Sequence, residues 1–317
     1  MNMHQTGTIT RGQFLRFAGI ITAGLTFAPR EIFAQESPVT TIIAAAAKDP
    51  VIVQLLRGNI HLLEGSGGNI AVFDGPEGKL MVDAGISVSQ KKIMASLSKI
   101  STKPTKYLIN THWHFDHADG NEWVHNTGAT IIAHANTKKN LSKTITVKDW
   151  NYTFKPHTKA GLPTVVFQKE HTLKFNGSAI QLRYYPPAHT DSDISVYFPS
   201  ADVLHVGDTW WNAHYPFIDH DSGGNLDGMI NACTQNLAMS TDKTLIIPGH
   251  GAVGNRTDLL EYRDMLVSVK EHVSKLKKSG MSLNATIDAK PTKVFDSKFG
   301  NFVLNGAFFT KLVYADV

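Results

Sequence analysis

The feature that most constrains this chain is a dense run of metal-binding side chains in residues 111–117 (THWHFDH), directly after an apolar strand. Alternate side chains of an extended segment point the same way, so His112 and His114 can bind one ion. If the chain then turns into a helix, Asp116 and His117 reach a neighbouring position and can bind a second ion. This ligand set suits zinc, iron or manganese.

Three later segments each place a further potential ligand after an apolar strand: His189 after Leu182–Tyr185, Asp208 after Val203–Val206 and His250 after Leu245–Ile247. A rigid scaffold that presents a cleft carries its active groups at strand ends in this way. Each signal is weak alone, but together with the first cluster they complete two coordination spheres. His is also abundant, with 15 residues against 5 Trp.

The hydrophobic pattern predicts many short strands and two clear helices. The predicted strands are 51–56, 59–63, 69–74, 79–83, 107–110, 130–133, 178–185, 194–198, 203–206 and 245–247. One helix follows Ser87 with Ile93, Met94, Leu97 and Ile100 on its inner face, and a long amphipathic helix covers about 258–278 and is stopped by Gly280. Two groups of strands separated by helices predict an α/β (α+β) fold with a two-sheet core and outer helices.

Composition narrows the classes of partner. The 31 Lys and Arg against 27 Asp and Glu give a net charge of +4, which is too mild to indicate nucleic acid. The single Cys excludes an internal disulfide framework and a multi-Cys zinc site.

Residues 1–34 are predicted to be an export signal. Arg11 and Arg16 precede the apolar run Phe17–Ala28, and a cleavage site follows Ala34. The run is too short to span a bilayer, which needs about 20 residues. The prediction is a periplasmic or secreted protein whose residues 35–317 form one hydrolase domain, with no stable membrane anchor after cleavage; the alternative is an uncleaved anchor.

The sequence resembles the metallo-β-lactamase superfamily over roughly residues 51–275. The resemblance lies in Gly67–Asn69, Val82–Gly85, the His-x-His-x-Asp-His motif and the three later ligands, all in the family's order. It implies a four-layer αβ/βα sandwich with the metal ions at one edge of the sheets.

The resemblance also implies a zinc-dependent site with two Zn²⁺ per chain. His112, His114 and His189 would bind the first ion, whereas Asp116, His117 and His250 would bind the second, with Asp208 bridging them. The metals would lower the pKa of a bound water, and the resulting hydroxide would attack an amide- or ester-type carbonyl. Asp116 is also a catalytic candidate in this interpretation.

Two features favour different branches of the superfamily. The spacing around His189 and His250 resembles that of class B β-lactamases, and Gly224-Asn225 resembles the loop whose Asn steadies the oxyanion, which makes Asn225 the second catalytic candidate. However, Asp208 replaces the zinc-binding Cys of those enzymes, and Trp211 replaces the Lys that binds the substrate carboxylate. His117 and a bridging Asp resemble instead the hydroxyacylglutathione hydrolases and lactonases. The resemblance therefore implies a small-molecule substrate: β-lactamase-like activity is expected, and lactone or thioester hydrolysis is the alternative.

A redox enzyme is a second hypothesis, since some relatives bind iron and act on sulfur compounds or oxygen. Diiron reductases carry a carboxylate where this chain has His114, which argues against the redox hypothesis.

Four aromatic residues beside the ligands either line a substrate pocket or pack the core: Trp113, Phe115, Trp210 and Trp211. Residues 212–224 are either a loop over the cleft or a solvated connector. Asp83 is expected to support a ligand rather than to be one.

Overall fold

The computed structural model describes residues 37–317, so the predicted export signal lies outside the described residues. Pro38–Val317 forms one compact unit. Its strands are β1 (Ile52–Arg57), β2 (Ile60–Glu64), β3 (Ile70–Gly75), β4 (Gly78–Val82), β5 (Thr105–Ile109), β6 (Thr130–His134), β7 (Ile145–Val147), β8 (Tyr152–Phe154), β9 (Val165–Phe167), β10 (Glu170–Phe175), β11 (Ser178–Tyr184), β12 (Ile194–Phe198), β13 (Val203–His205) and β14 (Leu245–Ile247).

The α-helices connect and cover these strands. They are α1 (Pro38–Lys48), α2 (Gln90–Ile100), α3 (Phe115–Ala118), α4 (Asn121–Asn126), α5 (Ala135–Leu141), α6 (Leu226–Met239), α7 (Arg256–Lys278), α8 (Leu283–Asp288), α9 (Asp296–Phe299) and α10 (Gly306–Asp316). Within the described part of the chain, no helix is long and apolar enough to cross a membrane.

Two mixed sheets form the centre of the fold. The first has seven strands in the order β1-β2-β3-β4-β5-β6-β9, and the second has five in the order β10-β11-β12-β13-β14. Strands β4, β5, β6 and β9 run parallel, as do β13 and β14, whereas the other neighbours are antiparallel. β7 and β8 form a separate hairpin. The chain therefore has two groups of parallel strand ends from which side chains can converge.

The burial pattern of the strands explains the layers. In β11 alternate residues are buried, so Ile180 and Leu182 face the other sheet while their neighbours are exposed. All residues of β4 are buried, as expected for a strand covered on both faces. Side chains of both sheets make one core between them, α2 and α4 cover the outer face of the first sheet, and α6, α7 and α10 cover the second. This is the predicted four-layer α/β sandwich.

The predicted strands match observed strands to within two residues at each end. The long helix is α7, which begins after Asn255 and buries Tyr262, Leu266 and Val269. Asn255 forms a capping box with Asp258 in the first turn of the helix. The prediction that Met94 lies on the inner face of α2 is wrong. Its side chain is 42% exposed, and of the four apolar residues predicted for that face only Ile93 and Leu97 are buried.

Candidate metal centre

The first donors lie in the short connection between β5 and α3. Residues 111–114 make a bend after the strand, and His114 then precedes the first turn of α3, which carries Asp116 and His117. The predicted turn into a helix is thus present, although β5 itself ends at Ile109. All four donor side chains are buried.

The other three donors come from the second sheet. His189 follows β11, Asp208 lies in a single 3-10 turn after β13, and His250 follows β14. Because β13 and β14 are parallel neighbours, their carboxyl ends meet at the same edge. Close approach requires glycine nearby: a Cβ at Gly249 would overlap the carboxylate of Asp208, and a Cβ at Gly68 would overlap the ring of His117.

The structure brings all seven predicted donors together in two adjoining groups. Donor atoms lie within 4.8 Å of one another in each group, one being His112, His114, His189 and Asp208, the other Asp116, His117 and His250. The Asp208 carboxylate lies between them. Its Oδ2 is 3.3 Å from Nε2 of His189 and 3.3 Å from Nε2 of His250, and its Oδ1 is 3.0 Å from Nε2 of His117.

A second set of contacts holds the outward nitrogen of four donor rings. Nδ1 of His189 donates to the backbone oxygen of Phe217 at 2.7 Å, and Nδ1 of His112 lies 3.0 Å from the Thr111 hydroxyl. The other two contacts involve fully buried carboxylates: Asp219 Oδ2 is 2.9 Å from His114 Nε2, and Asp83 Oδ2 is 2.8 Å from His117 Nδ1. Such partners fix the ring orientation and tautomer of ligating histidines.

Asp83 is thus a supporting carboxylate, as predicted. It also accepts bonds from the backbone N–H and hydroxyl of Thr111, at 2.7 Å each. It therefore ties the end of β4 to the segment after β5. Its φ of 66° lies in the left-handed region, which Asp and Asn tolerate better than other side chains.

Burial and neighbouring carboxylates lower the pKa of some of the donor histidines and raise the pKa of others. Burial lowers the pKa of His189 to about 4, and it lowers the pKa of His112 well below the usual value. Burial opposes charge on His250 too, yet Asp208 and Asp116 raise its pKa to about 9. The Asp208, Asp116 and Asp83 carboxylates likewise outweigh burial and raise the pKa of His117. Negative charge is therefore concentrated where the donor atoms converge.

The donors fit a divalent metal pair. Nε2 of His112, Nε2 of His117 and Oδ1 of Asp208 are buried and make no hydrogen bond. Buried polar atoms without partners are rare and call for an explanation, such as a bound ion. Imidazole nitrogen and carboxylate oxygen are suitable ligands for zinc, manganese or iron.

A small apolar cavity of about 60 Å³ opens over these donors. Asp116, Asp208 and His250 line it together with hydrophobic and aromatic side chains, and no Lys or Arg is among its lining residues in the described part of the chain. Trp211 and Phe302 stand against His250, with ring centroids 4.3 and 6.0 Å away. The donors therefore face a confined and weakly polar space.

The aromatic residues near the donors divide between the two expected roles. Trp211 and Phe115 line the small cavity, and Trp113 lines a neighbouring one, whereas Trp210 is fully buried in the core. The segment 212–224 is not a solvated connector: it supplies the oxygen that holds His189 and the carboxylate that holds His114. The sequence analysis missed this role of Asp219, because it lies 105 residues from its partner and no periodic pattern marks it.

Asn225 lies at the beginning of α6, where its side chain caps the helix. Its Oδ1 accepts from the backbone N–H of Gly228 at 2.8 Å, which caps α6, and its Nδ2 donates to the oxygen of Pro187 at 3.1 Å. It is not among the residues that line the small cavity. The structure thus gives Asn225 a capping contact, and its oxyanion role stays a prediction.

Comparison with known proteins shows which family the chain belongs to and identifies related sequences. Residues 63–264 match the family model described as the metallo-beta-lactamase superfamily, which is more than half of the chain. A stretch of 50 residues is 46% identical to a linear primary-alkylsulfatase from Pseudomonas sp. (strain ATCC 19151) and covers 16% of this chain and 10% of that protein.

Solved structures share the fold. The inverting sec-alkylsulfatase Pisa1 from Pseudomonas sp. superposes with a TM-score of 0.65 at 15% identity, over 83% of this chain and 50% of that one. The DIM-1 metallo-beta-lactamase gives a TM-score of 0.56 at 17% identity, over 69% of this chain and 98% of that one. The chain thus spans about half the length of the sec-alkylsulfatase, but nearly the whole β-lactamase.

Proposed function

The chain belongs to the metallo-beta-lactamase superfamily, and from that membership and the geometry of the site we propose that it is a zinc-dependent hydrolase with two metal ions per chain. The proposed substrates contain an amide- or ester-type carbonyl, with β-lactams, lactones and thioesters as the classes to test. One observation carries the proposal: the Asp208 carboxylate lies between two groups of donors, with three buried polar atoms that lack a hydrogen-bond partner.

In this proposal each residue has a defined task. His112, His114 and His189 would hold one ion, Asp116, His117 and His250 would hold the other, and Asp208 would contact both. Two ions held there would supply Lewis acidity and make water a nucleophile at neutral pH. Asp219 and Asp83 keep the donor rings in place, as their contacts of 2.9 and 2.8 Å indicate.

The remaining residues around the donors shape the substrate site. Trp211 and Phe302 exclude water beside His250, and Asp116 presents its carboxylate to the small cavity, where it can hold a proton during the reaction. Water exclusion strengthens the electrostatic interactions within such a site. The apolar lining favours an uncharged reacting group.

Sulfate-ester hydrolysis is a second candidate, because the local match to the primary-alkylsulfatase is 46% identical. The lining of the small cavity weighs against it. A sulfate ester is an anion that needs a positive partner, and no Lys or Arg lines that cavity among residues 37–317.

Metal analysis followed by a hydrolysis panel tests the proposal. Purified protein is expected to carry about two zinc per chain, to lose activity to a chelator and to regain it with zinc. The panel contains a penicillin, a cephalosporin, a carbapenem, an acyl-homoserine lactone, S-lactoylglutathione and dodecyl sulfate. Hydrolysis of dodecyl sulfate alone would favour the second candidate, and tightly bound iron without restoration by zinc would overturn the hydrolase proposal.

We also propose that the protein is exported and acts in the periplasm or outside the cell. The support is the basic and apolar pattern of residues 1–34. Cell fractionation with N-terminal sequencing of the mature protein tests it. A mature chain that begins at Gln35 in the periplasmic or external fraction is expected, and an intact Met1 in the cytoplasm would overturn it.

A further inference from the structure

A second and much larger cavity adjoins the one over the donors. Its volume is about 500 Å³, within the range of sites that hold drug-sized ligands. Phe115, which lies between His114 and Asp116 in the chain, lines both cavities. Helix α1 borders both as well, with Ile42 on the small cavity and Ile43 on the large one. The two cavities therefore lie side by side, with Phe115 in the wall of each.

The large cavity has a mixed lining. Trp113, Phe115 and Leu141 form buried apolar walls, whereas the charged residues Glu122, Lys143 and Lys155 are exposed and Asp119 is half-buried. Phe154 stacks on Phe115 with ring centroids 5.6 Å apart, and it meets the edge of Trp113 at 5.5 Å. An apolar chain that extends from the donors would lie against these rings.

We propose that this cavity is the subsite for the apolar part of the substrate, and that the substrate is a neutral carbonyl compound with a long alkyl or acyl group. This inference rests on the proposed hydrolase function and specifies its substrate class. The small cavity, with about 60 Å³, accommodates only the reacting group, so the bulk of a substrate needs the adjoining space. Each further methylene buried there is worth about a fourfold gain in binding.

Two variants alter the subsite without touching a donor. Thr158→Trp places a large ring at an exposed position of the cavity lining, and Phe154→Ala removes part of the apolar wall. Ser98→Trp, on the exposed face of α2, is the matched control. The measured quantity is the ratio of kcat/KM for p-nitrophenyl octanoate to that for p-nitrophenyl acetate with the zinc-loaded protein.

The ratio is expected to exceed ten in the wild-type protein and in Ser98→Trp, and to fall at least tenfold in Thr158→Trp and in Phe154→Ala. Binding of 1-octanol to the metal-free protein, measured by calorimetry, is expected to weaken in the same two variants. An unchanged ratio in both, or a wild-type preference for the acetate ester, would overturn the subsite.

The calorimetric measurement separates this inference from the proposed function. If neither ester is hydrolysed but the two variants weaken octanol binding, the subsite stands and ester hydrolysis fails. If neither ester is hydrolysed and octanol binding is equal in all four proteins, the subsite is wrong as well.

Discussion

Asp219 and Asp83 each hold one ring of a different donor group, so replacing them singly tests the division into two metal sites. Asp219→Asn keeps the side-chain shape but removes the charge 2.9 Å from Nε2 of His114. Asp83→Asn does the same 2.8 Å from Nδ1 of His117. We expect each variant to weaken one of the two proposed zinc sites and to leave the other close to wild type.

The size of the effect follows from burial. Loss of a carboxylate partner of a ligating histidine typically lowers metal affinity about 10–100-fold, which corresponds to about 1.4–2.8 kcal/mol. Both carboxylates are fully buried, so water does not replace the lost charge, and we expect effects near the upper limit. Asp83→Asn should also lower the free energy of unfolding, because Asp83 holds Thr111 through two further bonds.

Zinc titration in competition with a chelator of known affinity gives both dissociation constants. Asp221→Asn is the matched control for Asp219, since it lies two residues away on the surface and its carboxylate contacts Lys148 rather than a donor. Equal weakening of both sites by either variant would refute the two-site division. Wild-type affinity in both variants would refute the positioning role of the carboxylates.

Four further outcomes are expected. Asp208→Asn should fall from about two bound metals to about one in metal analysis, while Asp208→Cys keeps partial binding through a thiolate. Asn225→Ala should lower the free energy of unfolding by about 1 kcal/mol through loss of the α6 cap, and a kcat reduced at least about 10-fold at unchanged metal content would add the oxyanion role. Chelation should lower Tm, because zinc at 100 times its Kd contributes about 2.7 kcal/mol. The Asp316 carboxylate, 3.1 Å from Nε2 of His220, raises the pKa of His220, so the stabilisation from this ion pair is complete below pH 6.5 and is lost as pH rises through the raised value. A Tm difference between wild type and Asp316→Asn that does not shrink as pH rises would contradict this.

The donors could be located from the sequence because each lies in the connection that follows an apolar strand. Residues 111–117 combine two periodicities, an extended pair followed by a helical turn, and both are local properties of the chain. His189, Asp208 and His250 repeat one pattern, and parallel strand ends bring two of them to the same edge. Strand-end position thus contains most of the information about the candidate site.

The contacts that orient the donors were harder to predict from the sequence. Asp219 reaches His114 from an irregular segment, and such long-range loop contacts leave no period in the sequence. A short motif can also have two roles: Gly224-Asn225 resembles a β-lactamase loop, but Asn is a favoured helix cap as well. The structure shows the cap of α6, and the oxyanion role of Asn225 stays a prediction. Met94 was misplaced because a helical stripe defines a face but not where the neighbouring core ends.

Because the donors come from connections in both sheets, bound metal ions would link segments that are distant in sequence. His114 and His189 are 75 residues apart in sequence, and their facing nitrogens are 2.8 Å apart, so one ion bound to both would close a long loop of the chain. On the chain-entropy account of cross-links, closing a loop of that length destabilises the unfolded state by about 4.5 kcal/mol. The protein has one cysteine and no means of forming an internal disulfide. The two proposed ions would therefore act as cross-links between the two sheets, in the role that disulfides have in other proteins.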